Sequence, residues 1–198
     1  MDVYIIVAHS PHSPGGVWGE RNEYSDSLRF SLLLKKELRE KKGVDVKILY
    51  SREYDSIPEN ALVLSFHRDG NMKNCESKGA KAFVSESASA KTQYDAYRLL
   101  ESITGEKGFR YKGVHTNGKK AGFKRILEKN PLSSFVFTLG FMDMESDNAF
   151  FDKNISSLAK AFSLKLYEII KERENETDTP FFRSSRRGEQ FEDTGNCA

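Results

Sequence analysis

Three short apolar runs, each leading into a polar residue able to do chemistry, constrain this chain more than any other feature. Val3-Tyr4-Ile5-Ile6-Val7-Ala8 runs into His9, Ala61-Leu62-Val63-Leu64-Ser65-Phe66 into His67, and Ser134-Phe135-Val136-Phe137 into Thr138 and Leu139. Each run is strand-length and rich in β-branched or aromatic residues. Longer segments of helical period lie between them. Residues 23–41 bring Leu28, Leu32, Leu34 and Leu38 near one face and stop at Gly43. Residues 91–104 place Ala96, Leu100 and Ile103 in register before Gly105. Ile155, Leu158, Phe162, Leu166 and Ile169 predict a last helix over 155–171, with Asn154 as its N-cap. Residues 44–50 and 79–85 read as further strands. The alternation predicts an α/β fold with a mostly parallel central sheet flanked by helices on both faces. Ligands of such sheets gather beyond the carboxyl ends of the strands. His9, His67 and Thr138 are therefore expected on one rim.

A chain of 198 residues fits one domain of ordinary size, here expected over 1–172. Residues 173–198 are polar, charged and without period, and read as a disordered C-terminal tail. No apolar run approaches the roughly 18–20 residues that span a bilayer, so no membrane insertion is expected. Lys+Arg 31 against Asp+Glu 29 gives +2, too small an excess to imply nucleic acid as a partner. Cys75 and Cys197 are far apart, which argues against a structural disulfide and excludes a Cys-rich metal site. Cys75 reads as a spectator. The N-terminus has no basic segment before its strand-length apolar run, so synthesis in the cytoplasm without a signal peptide is expected.

The histidines are His9, His12, His67 and His115. Two of them directly after two apolar strands, joined by a nearby carboxylate, would match a zinc site that keeps one position open for chemistry. Glu20 and Glu23 are the candidate carboxylates, and Glu23 opens the first helix. His12 competes with His9 as the histidine of the first loop, whereas His115 falls in a Lys/Gly/Asn-rich stretch read as a surface loop.

Four blocks, in order, carry a family resemblance. His9-Ser10-Pro11-His12-Ser13-Pro14-Gly15-Gly16 resembles the His-x4-Pro-Gly opening of the zinc-dependent N-acetylmuramoyl-L-alanine amidases of the type 3 catalytic domain. Glu23 stands at the offset from His9 at which that family carries a glutamate. Leu64-Ser65-Phe66-His67-Arg68-Asp69-Gly70 is similar to its Ser-Ile-His-x-Asn-Ala signature, and Leu139-Gly140-Phe141-Met142-Asp143-Met144-Glu145-Ser146-Asp147-Asn148 to its Gly-Phe-x-Ser-Asn-x-x-Asp stretch.

The resemblance implies a Zn2+ cofactor held by His9, Glu23 and His67. It implies cleavage of the amide between N-acetylmuramic acid and L-alanine in peptidoglycan. It also exposes a departure: the family's catalytic glutamate, two residues before the Gly-Phe pair, is Thr138 here. A neutral hydroxyl is no general base near pH 7. Glu145, Asp143 and Glu20 are the candidate substitute acids. The rival expectation is a non-catalytic zinc-bound peptidoglycan-binding module or regulator. Arg68 and Asn117 are candidate substrate contacts, and Trp18 and Arg21 candidate groove residues. A monomer acting on the cell wall after release is expected, of the kind found in phage endolysins or sporulation lytic enzymes.

Overall fold

Strands and helices alternate through the chain, as their periodicity requires. The computed structural model describes residues 1–50, 53–70, 78–105, 108–116 and 121–178. Strand β1 (Asp2–Val7) leads through a small hairpin, β2 (Val17–Trp18) and β3 (Arg21–Asn22), into helix α1 (Glu23–Arg39). Then follow β4 (Asp45–Tyr50), β5 (Leu62–Asp69), β6 (Ala80–Phe83), α2 (Ala90–Glu101), β7 (Tyr111–His115), α3 (Ala121–Lys129), β8 (Ser134–Phe141) and α4 (Glu145–Asp178). The main sheet has six strands in the order β4-β1-β5-β8-β6-β7. β4, β1, β5 and β8 run parallel, while β6 opposes β8 and β7 follows β6. The expected mostly parallel α/β sheet is the one found.

Strand alternation divides the core in two. Leu62, Leu64 and Phe66 of β5 join Phe135 and Phe137 under α1, α2 and α4. Val63 of β5 and Val136 of β8 face the other way, under Phe123, Ile126 and Leu127 of α3. On α1 the buried stripe is Phe30, Leu34 and Leu38, continued toward the N-terminus by Ser27 and Glu23. That i, i+4, i+7 progression carries Glu23 onto the sheet-facing side at the rim. The Asn22 side chain accepts from Ser25 N at 2.9 Å and caps the helix there. Leu32, expected in the buried stripe, is 53% exposed, because it lies off the line through Phe30 and Leu34.

Other expectations are corrected. The last helix begins at Glu145, not at Asn154, whose Nδ2 instead donates to Phe150 O inside the helix. At 34 residues it is about 50 Å long. It runs to Asp178, so the first residues of the expected tail are helical, held by Arg173 on Asp95 at 2.7 Å. Residues 179–198 lie outside the described residues. β7 and α3 occupy the stretch read as a loop around His115. No helix among the described residues is long and apolar enough to cross a membrane.

Candidate metal centre

β1 ends at Val7, and the chain turns sharply at His9, whose φ of 65° is left-handed. That turn aims the imidazole back toward α1. Gly15 makes room for it: a Cβ there would stand 2.4 Å from His9 Cδ2. The neighbouring Gly16 N donates to Glu23 Oε2 at 3.3 Å. The glycines of the first loop are thus packed against the two residues they help to place.

His9 Nε2 lies 2.9 Å from Glu23 Oε2, and His67 Nδ1 lies 2.8 Å from Glu23 Oε1. One ligand atom from each of the three residues falls within 4.8 Å of the others. The rings of His9 and His67 stand at 80° with centroids 5.9 Å apart. Glu23 and His67 are nearly enclosed, and His9 is the most open, its side chain 34% exposed. Burial pushes the Glu23 carboxyl up, but its bonds to His67 and His9 outweigh that and hold it far below the usual carboxylate range.

The donor set fits a divalent cation. Ser65 Oγ donates to Ile6 O at 2.9 Å, which spends its only proton. It must then accept from His67 Nε2, 3.2 Å away. A neutral His67 so bonded turns the Nδ1 lone pair toward the Glu23 carboxylate. Two acceptors at this distance repel unless a proton or a metal ion lies between them. Two imidazoles and a carboxylate, with one tautomer fixed from behind, are a zinc-type ligand set.

Thr138 is the in-register neighbour of His67 across β5 and β8, so both side chains share a face. Thr138 is 1% exposed, and its hydroxyl has no hydrogen-bond partner among the described residues. An orphaned buried hydroxyl costs on the order of 1–3 kcal/mol unless something else satisfies it. Water held beside the triad would do so.

The other expected site residues fall elsewhere. Arg68 is a correction: it points to the opposite face of β5, where its side chain is 1% exposed and bonded to Asp26 at 2.7 Å. It stacks over Phe151 and cannot touch a polymer at the rim. Arg21 joins the same network through Asp26 and Asp152 rather than lining a groove. Glu145 is exposed in the first turn of α4, and Glu20 is exposed in the β2–β3 turn. No bond joins either to the triad. Asp143 lies in the turn between β8 and α4, half-buried. His12 is exposed. His115 ends β7 and donates to Lys112 O. Trp18 stands 50% exposed on the hairpin beside the first loop. Asn117 and Cys75 lie outside the described residues. Sequence reading missed Ser65, although alternation along β5 places 65, 67 and 69 on one face.

A family model described as N-acetylmuramoyl-L-alanine amidase matches residues 3–166. Among solved structures, an N-acetylmuramoyl-L-alanine amidase from Clostridium difficile 630 has a TM-score of 0.74 at 15% identity, over 86% of this chain and 96% of that one. The catalytic domain of an endolysin targeting Clostridia difficile gives 0.70 at 18%, over 85% and 97%. The CwlD amidase of Clostridioides difficile, solved with the GerS lipoprotein, gives 0.63 at 15%, over 88% and 97%. At these identities the likeness to solved structures is one of fold. No curated protein matches the sequence.

Proposed function

The chain belongs to the N-acetylmuramoyl-L-alanine amidase family, and from that premise we propose that it hydrolyses the amide between N-acetylmuramic acid and L-alanine of peptidoglycan, with His9, Glu23 and His67 holding a zinc ion. The observation that carries the reading is the convergence of two imidazole nitrogens on one buried carboxylate, with Ser65 fixing the His67 tautomer. A bound zinc ion supplies a water of lowered pKa and polarises the scissile carbonyl. The protein's own groups do the rest. Ser65 keeps the His67 Nδ1 lone pair free for the ion. Gly15 and Gly16 hold the first loop against His9 and Glu23. Thr138 offers a buried hydroxyl that orients the attacking water by one hydrogen bond.

Thr138 accepts and donates hydrogen bonds but keeps its own proton near neutral pH. Turnover is therefore expected to be lower than with a carboxylate there, by about 10²–10⁴-fold. The same residue favours a second reading, a zinc-bound module that holds or regulates at the wall without efficient cleavage. In either case the site of action is the cell wall.

Purified peptidoglycan incubated with the zinc-loaded protein separates these readings when new L-alanine amino termini are counted. Release by the native chain, abolished in His67→Ala, supports a working amidase. Release only from Thr138→Glu identifies an amidase scaffold lacking its base. Wall binding without release from any form leaves the binding module.

A further inference from the structure

The row that contains the triad does not end at Thr138. His67 on β5 pairs with Thr138 on β8, and Thr138 pairs with Lys81 on β6. The register of β6 against β7 shifts between Ala80 and Ala82, so Lys81 faces the bulged stretch between Tyr111 and Val114. Tyr111 packs on the opposite face, against Tyr97 of α2. Lys112 therefore shares the face of Lys81, Thr138 and His67. Both ammonium groups converge on the Phe141 ring, Lys81 Nζ at 5.2 Å and Lys112 Nζ at 5.8 Å from its centroid.

The two lysines differ in their partners. Lys81 Nζ is 2.5 Å from Asp69 Oδ2, and its side chain is 21% exposed. Asp69 neutralises it and pins it to the floor of the rim. Lys112 has no carboxylate partner among the described residues and is half-buried. One surplus positive charge thus sits on this stretch, over an aromatic ring that keeps water from one side of it.

We propose that Lys112, steadied by the Lys81–Asp69 pair, receives a free carboxylate of the stem peptide, carried by the residue that follows L-alanine. The inference rests on the amidase reading and names the peptide chemistry that site selects: acidic, unamidated stems. Reach agrees with this. Strands lie about 4.8 Å apart, so Lys81 and Lys112 stand about 10 and 14 Å from His67 along the sheet. Beyond the scissile amide, L-alanine advances a peptide by about 3.5 Å, and the next residue carries its free carboxylate several ångströms further. The lysine stem closes the remaining gap.

The test uses the full chain loaded with zinc. L-alanyl-D-glutamine, which carries a single free carboxylate, has no muramoyl amide to cleave, so its dissociation constant is read by calorimetry without turnover, beside that of its C-terminal amide. The free acid is expected to bind about tenfold tighter at low salt, the size of one charge-assisted bond. Lys112→Gln removes the preference, and Lys112→Arg retains it. Equal affinities in the native chain, or a preference that survives in Lys112→Gln, overturn the proposal. Release of L-alanine termini from whole peptidoglycan is followed in parallel. Release with equal affinities removes the carboxylate site and leaves the amidase reading. Absence of both release and binding overturns the two together.

Discussion

His67 and Arg68 are neighbours in the chain, and each ties β5 to α1 through an acid of the same helix, yet they do opposite things. His67 meets Glu23, with His9 on the same carboxylate. Arg68 meets Asp26, and Arg21 joins from the hairpin. One residue along the strand turns the side chain to the other face of the sheet, while the two acids, three apart on one face of the helix, are placed to meet one each. The Arg68 side is a finished lock: Asn148 Oδ1 at 2.7 Å and the Phe151 ring close it from α4. On the His67 side two imidazoles meet one buried carboxylate, and His9 stays partly open to solvent.

The two carboxylates register this difference. Burial raises the Asp26 pKa above its ordinary value, more than Arg68 and Arg21 lower it. Glu23 goes the other way, because two imidazoles bond it directly. Arg68, lowered to about 10 mainly by burial, stays charged at neutral pH. A buried permanent cation makes a joint, whereas a buried carboxylate shared by two imidazoles makes a place for an ion.

The comparison breaks most visibly at Glu23. Glu23→Ala is expected to lose stoichiometric zinc, measured by metal analysis after dialysis, and with it all release of L-alanine termini. A zinc content near one in that variant would sink the proposed ligand set. Next in size, Arg68→Met is expected to destabilise by about 3–5 kcal/mol in urea unfolding, because it removes the buried cation that Asp26 bonds at 2.7 Å and leaves that acid with Arg21 alone at close range. Arg68→Met combined with Asp26→Leu should recover most of that loss. No recovery would mean that the network matters through its geometry and not through the balance of its buried charges.

Ser65→Ala leaves the ligands in place but frees the His67 tautomer. A drop in zinc affinity of about 10–100-fold is expected in competition with a chelator. Unchanged affinity would show that Ser65 fixes nothing. Acid unfolding of the metal-free protein should separate the two acids by sign. The Glu23 contribution is present above pH 4.5 and fades as pH falls toward its lowered folded value. That of Asp26 is fullest below pH 3.8 and fades as pH rises through its raised folded value. The penalty of Glu23→Gln should therefore shrink on acidification while that of Asp26→Asn grows. The smallest effect belongs to His12→Ala, an exposed position, with stability within about 0.5 kcal/mol and zinc content unchanged.

Strand period and the residues at strand ends made His9, His67 and Thr138 legible as one rim, because apolar β-branched runs buried on both faces admit few other readings. Glu23 was legible through its place at the head of α1. Arg68 was not, since a charged residue beside a proposed ligand looks like a substrate contact until the strand's face is assigned. β7 and α3 were hidden by composition: Lys112 and Gly113 interrupt a short strand at the sheet's edge, and α3 has only nine residues. The start of α4 was marked by the acids Glu145 and Asp147, which suit a helix N-terminus, and Asp147 also accepts from Gly79 N and Phe141 N.

Gly15 and the left-handed turn at His9 have a further consequence for how fast such a centre fills. With the imidazole wedged between a strained turn and a residue that has no room for a Cβ, its orientation is set when the chain folds. An arriving cation then meets a ring already in position. Uptake should be governed by the shedding of the ion's own water rather than by rearrangement of the loop, and a chelator should strip the ion without loosening the turn.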